Sequence, residues 1–100
     1  MRVTFLPDGP EYRAGNLTVG FAARIDGENI DCAISAEALE DHFGAASLSA
    51  SDLIGAFTRH RAAIENAAAD LLTVMPTKRL LLRSGYFRAV SATRHDGART

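Results

Sequence analysis

The sequence predicts an α+β domain in which an antiparallel sheet of three to four strands carries two helices on one face, in the order β-β-β-α-α-β. A run of alternating apolar and polar residues ends in an Asp-Gly turn, and further along apolar residues recur every three to four positions. The chain has 100 residues, 47% hydrophobic and 23% charged, as expected of a single globular domain. We assign residues 1–87 to that domain and expect residues 88–100, which lack periodicity, to form a disordered tail.

Three strands are expected before the first helix. Residues 2–6 form the first strand, which ends at the turn sequence PDGP. Residues 17–25 place apolar side chains at every second position, and the Asp-Gly pair that follows favours a two-residue hairpin turn into residues 28–34. That turn sets apolar side chains opposite one another on one face, for example Val19 opposite Ile34.

Capping residues indicate where the helices begin and end. We expect residues 36–43 to form the first helix, because Ser35 is a good N-cap and Gly44 suits a left-handed C-terminal stop. The second helix begins with another serine cap and should run without a break over residues 49–74. It should end there because Pro76, two residues further on, cannot continue a helix. Residues 79–87, RLLLRSGYF, are then interpreted as the last strand.

The stretch ISAEALEDHF in the first helix holds three carboxylates and a histidine, which raises the question of a catalytic cluster. On a helical wheel Glu37 and Asp41 are neighbours that point away from the core, whereas His42 lies about 100° from Asp41. General acid–base chemistry needs groups within hydrogen-bond reach of one proton, so no catalytic residue is predicted. A structural or solvated role is favoured for all three residues. The alternative is an exposed acidic pair that binds a partner's arginine or a weakly held cation.

Arg61 is the anomaly of the second helix, because it falls within that helix's apolar stripe. A buried arginine without a partner would cost several kcal/mol, which leaves two explanations. One is an internal ion pair, either with Glu65 four residues on or with a carboxylate of the acidic half of the chain: Glu37, Glu40, Asp41 or Asp31. The other is a pocket in which the guanidinium binds a phosphate or carboxylate ligand. The internal pair is favoured.

No metal or cofactor site is predicted. His42, His60 and His95 share no ligand spacing, and Cys32 is the single cysteine. The chain also lacks a Gly-rich phosphate loop, a nucleophile elbow and a His-Glu zinc motif. These observations favour a protein without enzymatic activity.

The charges are unevenly distributed although the net charge is only −1. Residues 1–50 hold three basic and eight acidic residues, and residues 51–100 hold eight basic and four acidic ones. We expect the two halves to complement each other, and nucleic-acid binding is the less favoured interpretation. The first residues lack the apolar segment of a signal peptide, so we expect none, and no apolar run is long enough to span a membrane. The single cysteine cannot form an internal disulfide, and we therefore expect a cytoplasmic protein.

Four stretches of the chain resemble a known bacterial family: VTF, LTVGFAARIDGENIDCAISAEALEDHFGA, AFTRHRAAIENAA and LLLRSGYF. The chain is similar, over about residues 2–87, to domain-of-unknown-function family 1488, and the block CAISAEALEDHF is the most specific part of the match. The resemblance implies a small stand-alone α+β domain in the cytoplasm. It implies no established activity, cofactor or catalytic residue.

The function that these observations favour is a non-enzymatic interaction or regulatory module, which includes the case of a homodimer. The exposed face of the sheet should carry the small residues Thr18, Gly20 and Ala22, which would admit another protein. The alternatives are a ligand-binding or enzymatic protein centred on Arg61 and, third, a nucleic-acid-binding protein.

Overall fold

The computed structural model describes residues 2–89, and within them the chain forms five strands and four helices. Residues 84–89 belong to the last helix, α4. The preceding elements are β1 (Val3–Phe5), β2 (Glu11–Arg13), β3 (Thr18–Ile25), β4 (Glu28–Ser35), α1 (Ala36–Phe43), α2 (Ala50–Arg59), α3 (Arg61–Val74) and β5 (Arg79–Leu82).

The β3–β4 hairpin forms the centre of the sheet and confirms the register expected from the Asp-Gly turn. Val19 lies opposite Ile34, as apolar pairing requires. Asp26 and Gly27 have φ angles of 51° and 85°, which is the left-handed geometry of a two-residue turn matched to the strand twist. The central hairpin is therefore specified by its local sequence.

The sheet is mixed, and the prediction of a purely antiparallel sheet is wrong. The strand order is β1-β3-β4-β5, and β5 runs parallel to β4, with Asp31 beside Arg79 and Ile34 beside Leu82. The chain leaves β4, passes through three helices and returns to the sheet edge in the same direction. Such a long crossover connects parallel neighbours, whereas a short turn connects antiparallel ones.

The edge beside β3 is made of two short strands, of which only β1 was expected. Phe5 pairs with Ala23 and Glu11 pairs with Gly20. The chain therefore advances six residues along the edge while β3 advances three. The additional residues loop out around the PDGP sequence. β2 escaped the sequence analysis because a three-residue strand between turn sequences shows no measurable alternation.

The helices also depart from the prediction. The long second helix is broken at His60, whose φ and ψ of −117° and 23° end α2 and begin α3. The break changes the direction of the chain, so that α2 packs on β2 and β3 while α3 packs on β1 and β5. The predicted strand over residues 79–87 ends at Leu82, because residues 84–89 turn into α4. Of the predicted disordered tail, residues 88 and 89 are helical and residues 90–100 lie outside the described part of the chain.

The core lies between one face of the sheet and the helices. Its side chains come from alternate strand positions and from the inner face of each helix, and the largest fully buried ones include Ile34, Leu39, Phe57, Ile64 and Leu82. The described chain measures 39 × 36 × 20 Å. A thickness of 20 Å is that of one sheet and one layer of helices, since packed layers lie about 10 Å apart. The second face of the sheet is therefore left without a helical layer.

Candidate functional site

Asp41 and His42 meet at Ser84, the first residue of α4. The Ser84 hydroxyl donates a hydrogen bond of 2.6 Å to Asp41 Oδ2. His42 Nε2 lies 3.2 Å from the Ser84 carbonyl oxygen and 3.2 Å from its Oγ. These two residues of α1 diverge on a helical wheel, so a third residue from a distant element brings them together. The contact was not predicted from the sequence, because Ser84 was expected to lie in a strand.

A serine, a histidine and an aspartate in contact resemble a catalytic triad, but the hydrogen bonds run in the wrong direction. The Ser84 carbonyl can only accept, so the network assigns the proton to His42 Nε2. A catalytic histidine instead presents an unprotonated nitrogen to the serine, and the aspartate holds its other nitrogen. Ser84 is also only 1% exposed, which leaves no room for a substrate. The cluster therefore joins α4 to α1 and has no geometry for nucleophilic catalysis.

Aromatic contacts strengthen the same junction. The rings of His42 and Phe87 lie 5.6 Å apart, and Phe43 meets Phe87 edge-on at 5.1 Å. Phe43 also lies 5.5 Å from the ring of His60, at the break between α2 and α3. Edge-on aromatic pairs contribute about 0.5–1.5 kcal/mol beyond the area that they bury. The end of α1 is therefore a structural junction.

Arg61 binds the loop that interrupts the edge strand. Its Nε donates to Glu65 Oε2 at 2.8 Å, and one terminal nitrogen donates to the backbone carbonyls of Leu6 at 2.9 Å and Asp8 at 3.1 Å. The guanidinium carbon lies 5.6 Å from the centre of the Phe57 ring. The side chain is 27% exposed, so the group is partly buried. The backbone carbonyls of this loop have no strand partner, and the charged guanidinium of Arg61 supplies the hydrogen bonds that they need.

Arg13 crosses the uncovered face of the sheet from β2 to β4. It donates to Glu11 at 2.9 Å and, through both terminal nitrogens, to Asp31 at 2.8 and 3.3 Å. The hydrogen bonds to Asp31 and then to Glu11 raise the pKa of Arg13 above its usual value. On the way Arg13 lies over Gly20, where a Cβ atom would fall 2.5 Å from the guanidinium.

This crossing changes the expected binding surface. Thr18 is 3% exposed and Gly20 is buried as well, so two of the three small residues predicted to face solvent do not. The Thr18 hydroxyl donates instead to Asn16 Oδ1 at 2.8 Å. Only Ala22 remains partly accessible. The part of the uncovered face nearest β2 is therefore closed by Arg13 and its partners.

An open groove of about 580 Å³ lies at the end of the sheet where α1 begins. Three large apolar side chains in its lining are unusually exposed: Leu17 at 43%, Leu48 at 45% and Leu81 at 40%. Leu17 has a φ of 53°, a left-handed conformation that costs a leucine about 1–3 kcal/mol. Its carbonyl accepts the amide of Ala36, which pins the start of α1 beside the groove.

Charged residues surround this groove and a neighbouring one of about 360 Å³ that shares Leu81. Glu37 and Glu40 line the first groove together with Arg83, and Arg79 lines the second. Within residues 2–89 none of these four side chains forms an ion pair. Glu37 thus lines a groove, whereas Asp41 and His42 bind Ser84.

The metal-ligand types, the cysteine and the helices were also candidates for other functions. Among the described residues, no group of three His, Cys, Asp or Glu side chains is placed to hold a metal ion. Cys32 is buried in β4, and burial raises the pKa of its thiol to about 12, so the thiol stays protonated at neutral pH. None of the helices in residues 2–89 is long and apolar enough to cross a membrane.

These features define a small two-layer α+β domain with a mixed sheet. The family described as "protein of unknown function (DUF1488)" matches residues 3–80, and the chain belongs to that family. A crystal structure of a DUF1488 protein of unknown function from Shewanella loihica PV-4 has the same fold, with a TM-score of 0.69 and 23% sequence identity. The similarity covers 82% of this chain and 94% of that one. No curated protein matches the chain.

Proposed function

We propose that the protein is a non-enzymatic interaction module that binds another polypeptide through the uncovered face of its sheet. The observation that carries this proposal is the groove beside α1, where Leu17, Leu48 and Leu81 are each exposed by 40% or more. Exposed apolar side chains gathered in one concave surface are typical of protein-binding sites, whereas single ones are common everywhere. The left-handed backbone of Leu17 supports the same conclusion, because strain of this kind collects at functional positions.

The chemistry of the other clusters supports a binding role over catalysis. The Ser84 cluster is closed to substrate, and two of the three guanidinium nitrogens of Arg61 donate to Glu65 and to two loop carbonyls. An anion at Arg61 would compete with these partners for the same guanidinium charge. The buried unpaired thiol of Cys32 fits a protein that works in the reducing cytoplasm, which we propose as its compartment.

Site-specific photo-cross-linking in the native host tests this proposal. A photoreactive amino acid at position 48 or 81 should give one discrete cross-linked product. The same group at Asn66, which is exposed on α3, is the matched control and should give none. The product should disappear when Glu37→Lys and Glu40→Lys invert the charge beside the groove. Equal products from all three positions, or none from any, would contradict an interaction surface in this groove.

A further inference from the structure

The unpaired charges around the two grooves are balanced. Glu37 and Glu40 supply two negative charges, and Arg79 and Arg83 supply two positive ones. A partner with charges of one sign would satisfy half of this set and repel the other half. A surface that holds both signs in equal number can instead complement a copy of itself, provided that a two-fold axis places the acidic half of one copy against the basic half of the other.

The apolar part of this surface has the arrangement that such pairing requires. Leu81 lies on β5, the strand at the sheet edge, and lines the same groove as Leu17 and Leu48. Two copies related by a two-fold axis bring both sets of leucines together at the centre, with the charges around them. That is the usual composition of a stable interface, an apolar centre with a polar rim.

The shape of the molecule supplies enough area. The described chain is a slab of 39 × 36 × 20 Å with helices on one broad face only. The other broad face exceeds the roughly 800 Å² that each partner buries in a standard interface. Part of it is already closed by Arg13, which is ion-paired with Glu11 and Asp31.

From these observations we infer that the partner of this surface is a second copy of the chain, in a two-fold dimer that joins the uncovered sheet faces. Glu37 and Glu40 of one protomer then lie against the arginines at positions 79 and 83 of its partner, and the exposed leucines pack at the centre. This inference rests on the proposed function, because it names the partner of the same surface.

A charge-exchange experiment tests the dimer. The wild-type chain should sediment as a dimer at micromolar concentration. The double variant Glu37→Lys/Glu40→Lys, in which all four charges of the surface are positive, should weaken self-association at least about tenfold. The double variant Arg79→Glu/Arg83→Glu, in which all four are negative, should do the same, because like charges then face each other. An equal mixture of the two should form a heterodimer, since every facing pair is again of opposite sign. Circular dichroism checks that each variant is folded.

The control pair is Asn66→Lys/Asp70→Lys, which adds positive charge on the exposed side of α3 and should leave the dimer intact. A wild-type chain that stays monomeric at high micromolar concentration would overturn the inference. So would a dimer that neither exchanged pair weakens. If the chain is monomeric but the groove still cross-links to a different protein, the dimer fails and the proposed function stands. If neither association nor cross-linking occurs, both fail.

Discussion

The two faces of the sheet are built from alternate residues of the same strands, yet they differ in almost every property. The helix-covered face holds side chains such as Phe21, Ile34 and Leu82 that are 5% exposed or less. The other face holds the ion-paired Arg13 and the half-exposed Leu81. The comparison separates stability from recognition within one sheet, because burial on one side holds the fold and exposure on the other side remains available for a partner.

Adjacent residues of β5 give the sharpest test of this difference. Leu82→Ala removes a fully buried side chain and should lower the free energy of unfolding by about 2–5 kcal/mol. Leu81→Ala, on the opposite face, should lower it by less than about 1 kcal/mol. Urea denaturation measures both losses under conditions where the chain is dissociated. Similar values for the two variants would mean that both faces hold the fold.

The next largest effect is expected at the edge loop. Arg61→Met removes the hydrogen bonds to Leu6, Asp8 and Glu65 and should cost about 2 kcal/mol, since bonds to a charged donor contribute about 1.5–3 kcal/mol each before allowance for partial exposure. Arg59→Met is the control, because that exposed arginine should contribute within about 0.5 kcal/mol. Hydrogen exchange of residues 6–10 should quicken in the first variant alone. Equal stability of both variants would show that the loop does not depend on Arg61.

Removal of the Ser84 hydroxyl tests the junction between α1 and α4. Ser84→Ala should lower the free energy of unfolding by about 1 kcal/mol, because Asp41 is exposed enough to regain a water partner. The exposed Ser51 of α2 provides the control, and Ser51→Ala should be nearly neutral. Thermal unfolding of the two variants measures the difference. A neutral Ser84→Ala would contradict a structural role for the cluster.

The smallest change is expected on the uncovered face. Gly20→Ala should be nearly neutral, because a strand gains about 0.5–1 kcal/mol when alanine replaces glycine but the new Cβ displaces Arg13. The displaced ion pair, being exposed, contributes only about 0.2–1 kcal/mol. A double-mutant cycle with Arg13→Met measures the coupling between the two positions. Arg13→Met should lower the free energy of unfolding in the wild-type chain but leave it unchanged in the Gly20→Ala variant. An unchanged contribution of Arg13 in both backgrounds would rule out the crossing.

Sequence patterns predicted the parts of the fold that depend on neighbouring residues. The Asp-Gly turn fixed the β3–β4 register, and Ser35, whose Oγ accepts from the amide of Ala38, opens α1 where its cap was expected. Gly44 ends that helix in a left-handed conformation, again as expected. Each of these features is decided within a few residues, so local physical chemistry is sufficient to identify it.

The features that were missed depend on contacts between distant segments. Nothing in residues 79–82 states whether the strand runs parallel or antiparallel to β4, because the direction follows from the path of the preceding helices. The strand was predicted to continue to residue 87, although the Ser-Gly pair at 84–85 was an available turn signal. The helix break at His60 contains neither glycine nor proline, so no residue type at that position indicated that the helix would end there.

The parallel placement of β5 also determines when the groove is formed during folding. The β3–β4 hairpin closes through a two-residue turn, whereas β5 pairs with β4 across residues 36–78. Long-range closure of this kind is entropically costly, so we expect β5 to join the sheet late in folding. Leu81, Arg79 and Arg83 all arrive with this last segment. The proposed association surface is therefore absent from partly synthesised or partly folded chains, and pairing is restricted to copies that have completed their fold.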